Sequence, residues 1–295
     1  MNHKTIYALG FFDGVHLGHK ALLQQCRAMA QQLGCAAGVI TFTSHPDTLV
    51  LGKTPALINT IEDRRRLLKN CGMDKILELP FDRALMNMPW QDFFALLVRE
   101  YHVAGLVCGH DFRFGRGGEG NAALLQEACC QANIPCAVIP EQTLDGITLS
   151  STYIRQLLEA GQVESANRFL GHPHVLTGQV IPGKQLGRTI NIPTANLALP
   201  EDIVTLRHGV YACKAYAGGS CHLAVTNIGT RPTVAGEGIN AESWLLDFDG
   251  DLYGKTLTLE FYAFLRPEQK FSSLQQLHTE IQKNALQVRK FFENA

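Results

Sequence analysis

"ALGFFDGVHLGHKALL", residues 8–23, joins an apolar run to a helical pattern through a turn that holds one Asp, two His and three Gly. The run before it, "TIYALGFF", reads as a buried strand. The pattern after it carries Leu22, Leu23, Cys26, Met29 and Leu33 on one helical stripe and stops at Gly34. A strand, a Gly-rich turn and a helix make the opening half of a βαβ unit. His16 and His19 straddle the expected helix N-terminus, where free amide N–H groups favour anions. Gly14 and Gly18 let backbone approach a ligand closely. Taken alone, H-x-G-H fits an ordinary βα turn as well as a phosphate site.

The rest of the first half decides the fold class. Strand-like "CAAGVITFT", "KILELPF", "VAGLVCG" and "PCAVIPE" alternate with helical "TIEDRRRLLKNCG", "MPWQDFFALLVREYH" and "NAALLQEACCQAN". Thr60 is the expected N-cap of the first of these helices. Such alternation implies an α/β, doubly wound parallel sheet, with ligands at the carboxyl ends of its strands. The opening stretch lies at such an end. Residues 150–171 read as two short helices broken at Gly161.

The pattern then changes to short β-like runs between Gly-rich turns: "HVLTGQVIPG", "GVYACKAYAG" and "CHLAVTNIG". "ESWLLDFDGDLYGKTLTLEFYAFL" reads as a hairpin-like pair of strands around Asp249-Gly250-Asp251. An antiparallel β-barrel or sandwich is expected. A last helix carries Leu274, Leu277, Ile281, Val288 and Phe292 on an apolar face. The expected domains are residues 1–172 and 173–295.

Composition bounds the function. The chain has 295 residues and a formal net charge of −1, so charge gives no reason to expect nucleic acid. No apolar run is long enough to span a bilayer, so no membrane partner is expected. "MNHKTIYALGFF" lacks the apolar core of a signal peptide. The nine Cys are irregularly spaced, and reduced, buried or inert thiols of a cytoplasmic protein are expected.

Two further constellations bear on chemistry. "LSSTYIR", residues 149–155, precedes a helical pattern. Ser150, Ser151 and Thr152 fit helix caps, and Arg155 a solvated charge. The same donors at a helix start, with an Arg one turn on, also fit a triphosphate clamp. "GRTINIPTAN", residues 187–196, sets Thr194 and Asn196 two apart as neutral oxygen ligands for a hard cation, or as a turn after Pro193. "NIGTRPT" adds Asn227 and Arg231, and Glu242 opens the apolar "ESWLLDF" as a strand-end charge or a general base.

H-x-G-H after the first strand with S-S-T-x-x-R after the last resembles the nucleotidyltransferase superfamily, with Leu149 in place of its Ile. "GFFDGVHLGH" fits the G-x-F-D-G-x-H-x-G-H of bacterial FAD synthetases. "TFTSHP" and "GHDFRFGRGGEGN" resemble two more of their motifs, with Ser44 for a Pro and Asn121 for an acidic residue. The second-half segments are similar to the flavokinase module, with Asn191-Ile192 where Gly-Phe is usual. Trp244 stands where His or another polar residue is common, and Asn284 replaces a common Asp. The chain thus resembles, over nearly its whole length, the prokaryotic bifunctional riboflavin kinase/FAD synthetase family.

The resemblance implies an FMN adenylyltransferase domain followed by a riboflavin kinase barrel, with ATP and Mg²⁺ (or Mn²⁺) as cofactors and riboflavin and FMN as substrates. It implies ATP binding by Gly10, Phe12, Asp13, Gly14, His16, Gly18, His19, Ser150, Ser151, Thr152 and Arg155. Asp111 matches a position near the nucleotide and flavin phosphate. In the kinase half it implies roles for Gly183, Gly187, Arg188, Thr194, Asn196, Asn227 and Arg231, with Thr194 and Asn196 on the metal and Glu242 as base. His16 and His19 are the catalytic residues expected in the first half. The expected assembly is a monomer or weak homo-oligomer. Three other readings stay open: an H-x-G-H transferase for another substrate, a relative with one inactive half, and a flavin carrier without turnover.

Overall fold

The computed structural model describes residues 4–183, 192–233 and 236–294, and no side chain between 231 and 238. Five strands are labelled in the first half: β1 Thr5–Leu9, β2 Ala36–Phe42, β3 Lys75–Leu79, β4 Val103–Gly109 and β5 Cys136–Ile139. They form one sheet in the order β3-β2-β1-β4-β5, parallel throughout. Four helices of this half are labelled: α1 Leu17–Leu33, α2 Ile61–Asn70, α3 Trp90–Glu100 and α4 Ala122–Gln131. All five residues of β1 are buried. Ile6 and Ala8 pack with Leu23, Cys26 and Met29 of α1, whereas Tyr7 and Leu9 pack with Phe93, Leu97 and Leu125 of α3 and α4. Both sheet faces are therefore covered, which is why the strands read as near-continuous apolar runs.

The helix signals act as expected. Thr60 Oγ1 accepts the Asp63 N–H at 3.0 Å. Gly34, at φ 61°, ends α1 and donates to the carbonyls of Ala30 and Gln31. Asn121 caps α4 by accepting the Leu124 N–H at 3.0 Å, work that the acidic residue usual at this position could equally do.

The second half begins with α5 Ser151–Glu159 and α6 Val163–Leu170. Six strands follow: β6 His174–Ile181, β7 Ala195–Ala198, β8 Gly209–Ala217, β9 Ser220–Thr233, β10 Gly236–Leu245 and β11 Thr256–Pro267. They close into an antiparallel barrel in the order β6-β7-β10-β9-β8-β11. The sequence left barrel and sandwich open, and the fold is the barrel. A last helix, α7 Leu274–Glu293, lays Ala285 and Val288 on Val210, Val225 and Leu246.

By contacts the chain forms two compact units, residues 1–55 with 64–150 and residues 56–63 with 151–295. Within the second unit, Leu57 bridges to Ile203, and Asn59 donates to the Val175 carbonyl. The Asp63 carboxylate accepts from the backbone and hydroxyl of Thr177.

Three sequence expectations are corrected. β10 and β11, expected as a hairpin around Asp249-Gly250-Asp251, do not pair; barrel closure puts β10 beside β7 and β9, and β11 beside β6 and β8. Glu242 lies seventh in its strand rather than at its start. Leu274, expected on the apolar face of the last helix, opens α7 and is 54% exposed, because the helix buries only positions from its later turns.

Candidate functional site

The first unit carries its site on the β1–α1 turn. His16 is the N-cap of α1, and its Nδ1 accepts the His19 N–H at 3.3 Å. The two imidazoles stack with centroids 3.7 Å apart and planes 20° apart. A Cβ on Gly18 would lie 3.1 Å from the His16 ring, so glycine leaves that ring its place. Phe12 is fully buried, with φ 60°, and meets the His19 ring edge-on at 5.3 Å. Burial first, then His16 and Arg64, hold the His19 pKa well below the ordinary histidine range. Both the stacking and this shift favour neutral imidazole at pH 7. His19 Nδ1 is buried and has no hydrogen-bond partner among the described residues. A buried ring nitrogen left unpaired is a polar group that a bound ligand atom can satisfy.

Gly10 and Asp13 belong to the same turn, and Asp13 is buried with its charge near Arg64. Arg64 escaped the sequence reading. Its guanidinium is buried, donates to the carbonyls of Phe11 at 3.1 Å and Phe42 at 2.7 Å, and lies over the Phe11 ring at 4.2 Å. It clasps the start of the turn to the end of β2. "RRR" gave no sign of which Arg points inward.

Leu149, just before Ser150, lies beside Gly18. Leu149 and Ser150 close the first unit. Ser151, Thr152 and Arg155 follow on α5, which belongs to the second unit. Asp111 is exposed, two residues after β4.

A cavity of about 300 Å³ opens in the first unit, lined by Phe42, Phe81, Phe93, Phe112 and Phe114 together with Arg113. Sequence reasoning saw the "DFRFG" motif but not that its two Phe face one cavity with residues from β2 and α3.

The second unit carries a separate site. In the barrel ladder Glu242 of β10 stands opposite Asn196 on one side and Asn227 on the other. Three expected site residues thus form one row across three neighbouring strands, where facing Cβ atoms lie about 5 Å apart. Asn196, for which the sequence left a turn after Pro193 open, is on β7 and buried. Its Oδ1 accepts from Asn240 Nδ2 at 3.1 Å, and the same nitrogen lies 3.5 Å from Glu242 Oε1. Asn240 was missed; it shares a strand face with Glu242, a period-two signal hidden in "EGINAES". A Cβ on Gly183 would collide with the Asn196 amide. Asn227 Nδ2 donates to Glu268 at 3.3 Å.

Two cavities meet at Thr194. One, of about 270 Å³, is lined by Glu242, Asn227 and Thr194 on its polar side and by Trp244, Leu277 and Ile281 on its apolar side. The other, of about 280 Å³, is lined by Thr194, Pro193, Val180, Asp249, Asp251 and Tyr253. Arg266 enters the first cavity with Nε and Nη2 both donating to Asn284 Oδ1, at 3.2 and 3.0 Å. Gly187 and Arg188 lie outside the described residues, and Arg231 is described only by its place on β9.

Fold and sites define a two-module transferase, an H-x-G-H nucleotide-binding sheet joined to a barrel of flavokinase type. Comparison with known proteins agrees with that order. The family description "FAD synthetase" matches residues 1–153, and "Riboflavin kinase" matches residues 170–292. The bifunctional riboflavin kinase/FMN adenylyltransferase of Escherichia coli K12 is 38% identical over 290 residues, 97% of this chain and 92% of that one. Its counterpart in Bacillus subtilis is 33% identical over 297 residues, 99% of this chain and 93% of that one. The chain belongs to the bifunctional riboflavin kinase/FMN adenylyltransferase family. A solved structure titled a macrolide-efflux protein, from Streptococcus pneumoniae, has a TM-score of 0.88 and 28% identity, covering 98% of this chain and 95% of that one. Among the described residues no helix is long and apolar enough to cross a membrane.

Proposed function

We propose that this chain phosphorylates riboflavin to FMN in its second module and adenylylates FMN to FAD in its first, using one ATP for each step. The observation that carries this reading is that each unit holds its own cavity beside its own set of donors and charges, in the order of the family's two modules. We place the functional division at residues 172 and 173.

In the barrel, the cavity with Glu242 takes the flavin and the cavity with Asp249 and Tyr253 takes the nucleotide. Thr194 lines both, so it marks where the 5′-hydroxyl of riboflavin meets the γ-phosphate. Glu242 accepts the hydroxyl proton as that oxygen bonds to phosphorus, and ADP leaves with the electrons of the broken P–O bond. Asn227 and Asn196 flank Glu242 and fix its strand position. Thr194 and Asn196 fit Mg²⁺ (or Mn²⁺): they offer neutral oxygens beside a carboxylate, the donor set of a hard cation. When bound, that ion neutralises phosphate charge.

In the sheet module, a phosphate oxygen of FMN attacks the α-phosphate of a second ATP, and pyrophosphate leaves. The two imidazoles, His19 held neutral by its burial, and the first-turn amides of α1 that His16 does not cap stabilise the charge that builds on the α-phosphate. Ser150, Ser151, Thr152 and Arg155 hold the triphosphate, and Asp111 lies near the flavin phosphate. The five Phe of the neighbouring cavity offer flat apolar surface to the isoalloxazine. ATP and reduced thiols suit a cytoplasmic enzyme, a monomer or weak homo-oligomer that needs neither nucleic acid nor membrane.

The test is a time course with riboflavin, ATP and Mg²⁺, the flavins separated by chromatography. FMN should rise first and FAD follow. Tight flavin binding with no ATP consumed would overturn the reading in favour of a carrier.

A further inference from the structure

Trp244 follows Glu242 by two residues, so both side chains leave β10 on the same face. Burial agrees: Ala241, Ser243 and Leu245 are buried, while Glu242 and Trp244 between them are half-buried. Both line the 270 Å³ cavity under α7. Opposite Trp244 in the ladder stands Val225, a small branched residue that leaves the indole room. Leu277 and Ile281 of α7 and Phe271 close the far wall. The indole lines that wall and packs in part against the apolar cluster of Val210, Val225, Ala285 and Val288. It stacks on no other ring and makes no hydrogen bond among the described residues, although it is only half-buried.

We propose that Trp244 is a substrate-binding and specificity-determining residue of the kinase site, which stacks on the isoalloxazine of riboflavin. This rests on the reading of the cavity as the flavin site. The ligand class it selects is a flat, fused aromatic ring system carrying a polyol chain. Stacking on the indole leaves the chain to run past the polar side of the cavity, where Glu242 and Thr194 wait for its terminal hydroxyl. The face of the ring interacts with Trp244 equally before and after phosphoryl transfer, so the contact is uniform binding: it sets KM and leaves kcat nearly alone.

The sequence supplies a clean reporter. Trp90 and Trp244 are the only two Trp of the chain, and Trp90 belongs to the other unit. In Trp90→Phe protein, riboflavin should quench the single remaining indole emission with a saturable titration. Trp244→Ala should raise the riboflavin KM of the kinase about tenfold or more, since an aromatic contact of this kind and the area it covers together reach that size. Its kcat should change less than about threefold, and Trp244→Phe should fall between. Conversion of supplied FMN to FAD should be unchanged in all of them. An unchanged KM in both variants, a loss confined to kcat, or absence of quenching in Trp90→Phe protein would overturn the proposal. If Trp244→Ala unfolds, Trp244→Phe and the quenching decide. Glu242→Gln run alongside separates the two readings. If it abolishes FMN formation while Trp244 variants behave as parent, the cavity assignment survives and the stacking does not. If Glu242→Gln still makes FMN, the cavity assignment itself fails.

Discussion

His174 offers a sharp test of how the barrel is held together. It opens β6, is fully buried, and neither ring nitrogen has a hydrogen-bond partner among the described residues. Its ring sits 5.8 Å from that of Phe261, and its backbone N–H donates to Asn167 Oδ1 at 2.7 Å. Burial, with a smaller push from His172, lowers its pKa from 6.5 to about 3. The folded chain therefore keeps this imidazole neutral while the unfolded chain protonates it below pH 6.5. As pH falls, the unfolded state binds the extra proton, and stability is lost from pH 6.5 down to about pH 3. At pH 5 the gap is about 1.5 pH units, or roughly 2 kcal/mol at 1.36 kcal/mol per unit. Acting alone, the group would cost roughly 4 kcal/mol by pH 3. His174→Phe keeps a flat ring and the backbone bond to Asn167 but removes the proton site. Urea unfolding of the barrel, followed through Trp244 emission in Trp90→Phe protein, gives the stability at pH 7 and pH 5. The parent should lose roughly 2 kcal/mol more than the His174→Phe protein between those pH values. Equal losses would show that the buried imidazole finds a partner or a proton in the folded state, and the reasoning would fail.

Two other expectations follow from local geometry. Gly183→Ala places a methyl against the Asn196 amide, so kinase turnover should drop by about tenfold or more while FMN adenylylation holds; equal rates in variant and parent would show that Asn196 can move without loss. Among the thiols, exposed Cys130 and Cys221 should react with maleimide in native protein, and buried Cys26, Cys108, Cys129 and Cys213 only after unfolding. Burial also pushes the Cys108 pKa up to about 12, which leaves almost no thiolate. Peptide mapping checks this, and native-rate labelling of Cys213 would contradict it.

What the sequence made legible was local and periodic. Strand–helix alternation announced the parallel sheet because each of its buried strands is apolar on both faces. Thr60, Gly34 and the H-x-G-H turn were readable because a cap or a stop is a property of a few adjacent residues. The row Asn196–Glu242–Asn227 was readable only as three separate motifs, since register across three strands is set by closure of the barrel. For the same reason Asp249-Gly250-Asp251 looked like a hairpin turn and is not one. Arg64 and Asn240 were missed for opposite reasons, the first lost among identical neighbours and the second inside a Gly-rich stretch. The docking of residues 56–63 on the barrel left no local mark at all, because it depends on a partner more than a hundred residues away.

The central claim is that two separate sites act in sequence, with Glu242 serving one and His19 the other. The most direct test mixes two inactive halves. Glu242→Gln protein and His19→Ala protein are each given riboflavin, ATP and Mg²⁺, alone and together, and FAD is measured. Each change should slow its own step by about a hundredfold or more. His19→Ala alone should then accumulate FMN, Glu242→Gln alone should leave riboflavin unchanged, and the mixture should make FAD. A mixture that makes no more FAD than the two proteins apart, or FAD from either protein alone at the parent rate, would contradict the account.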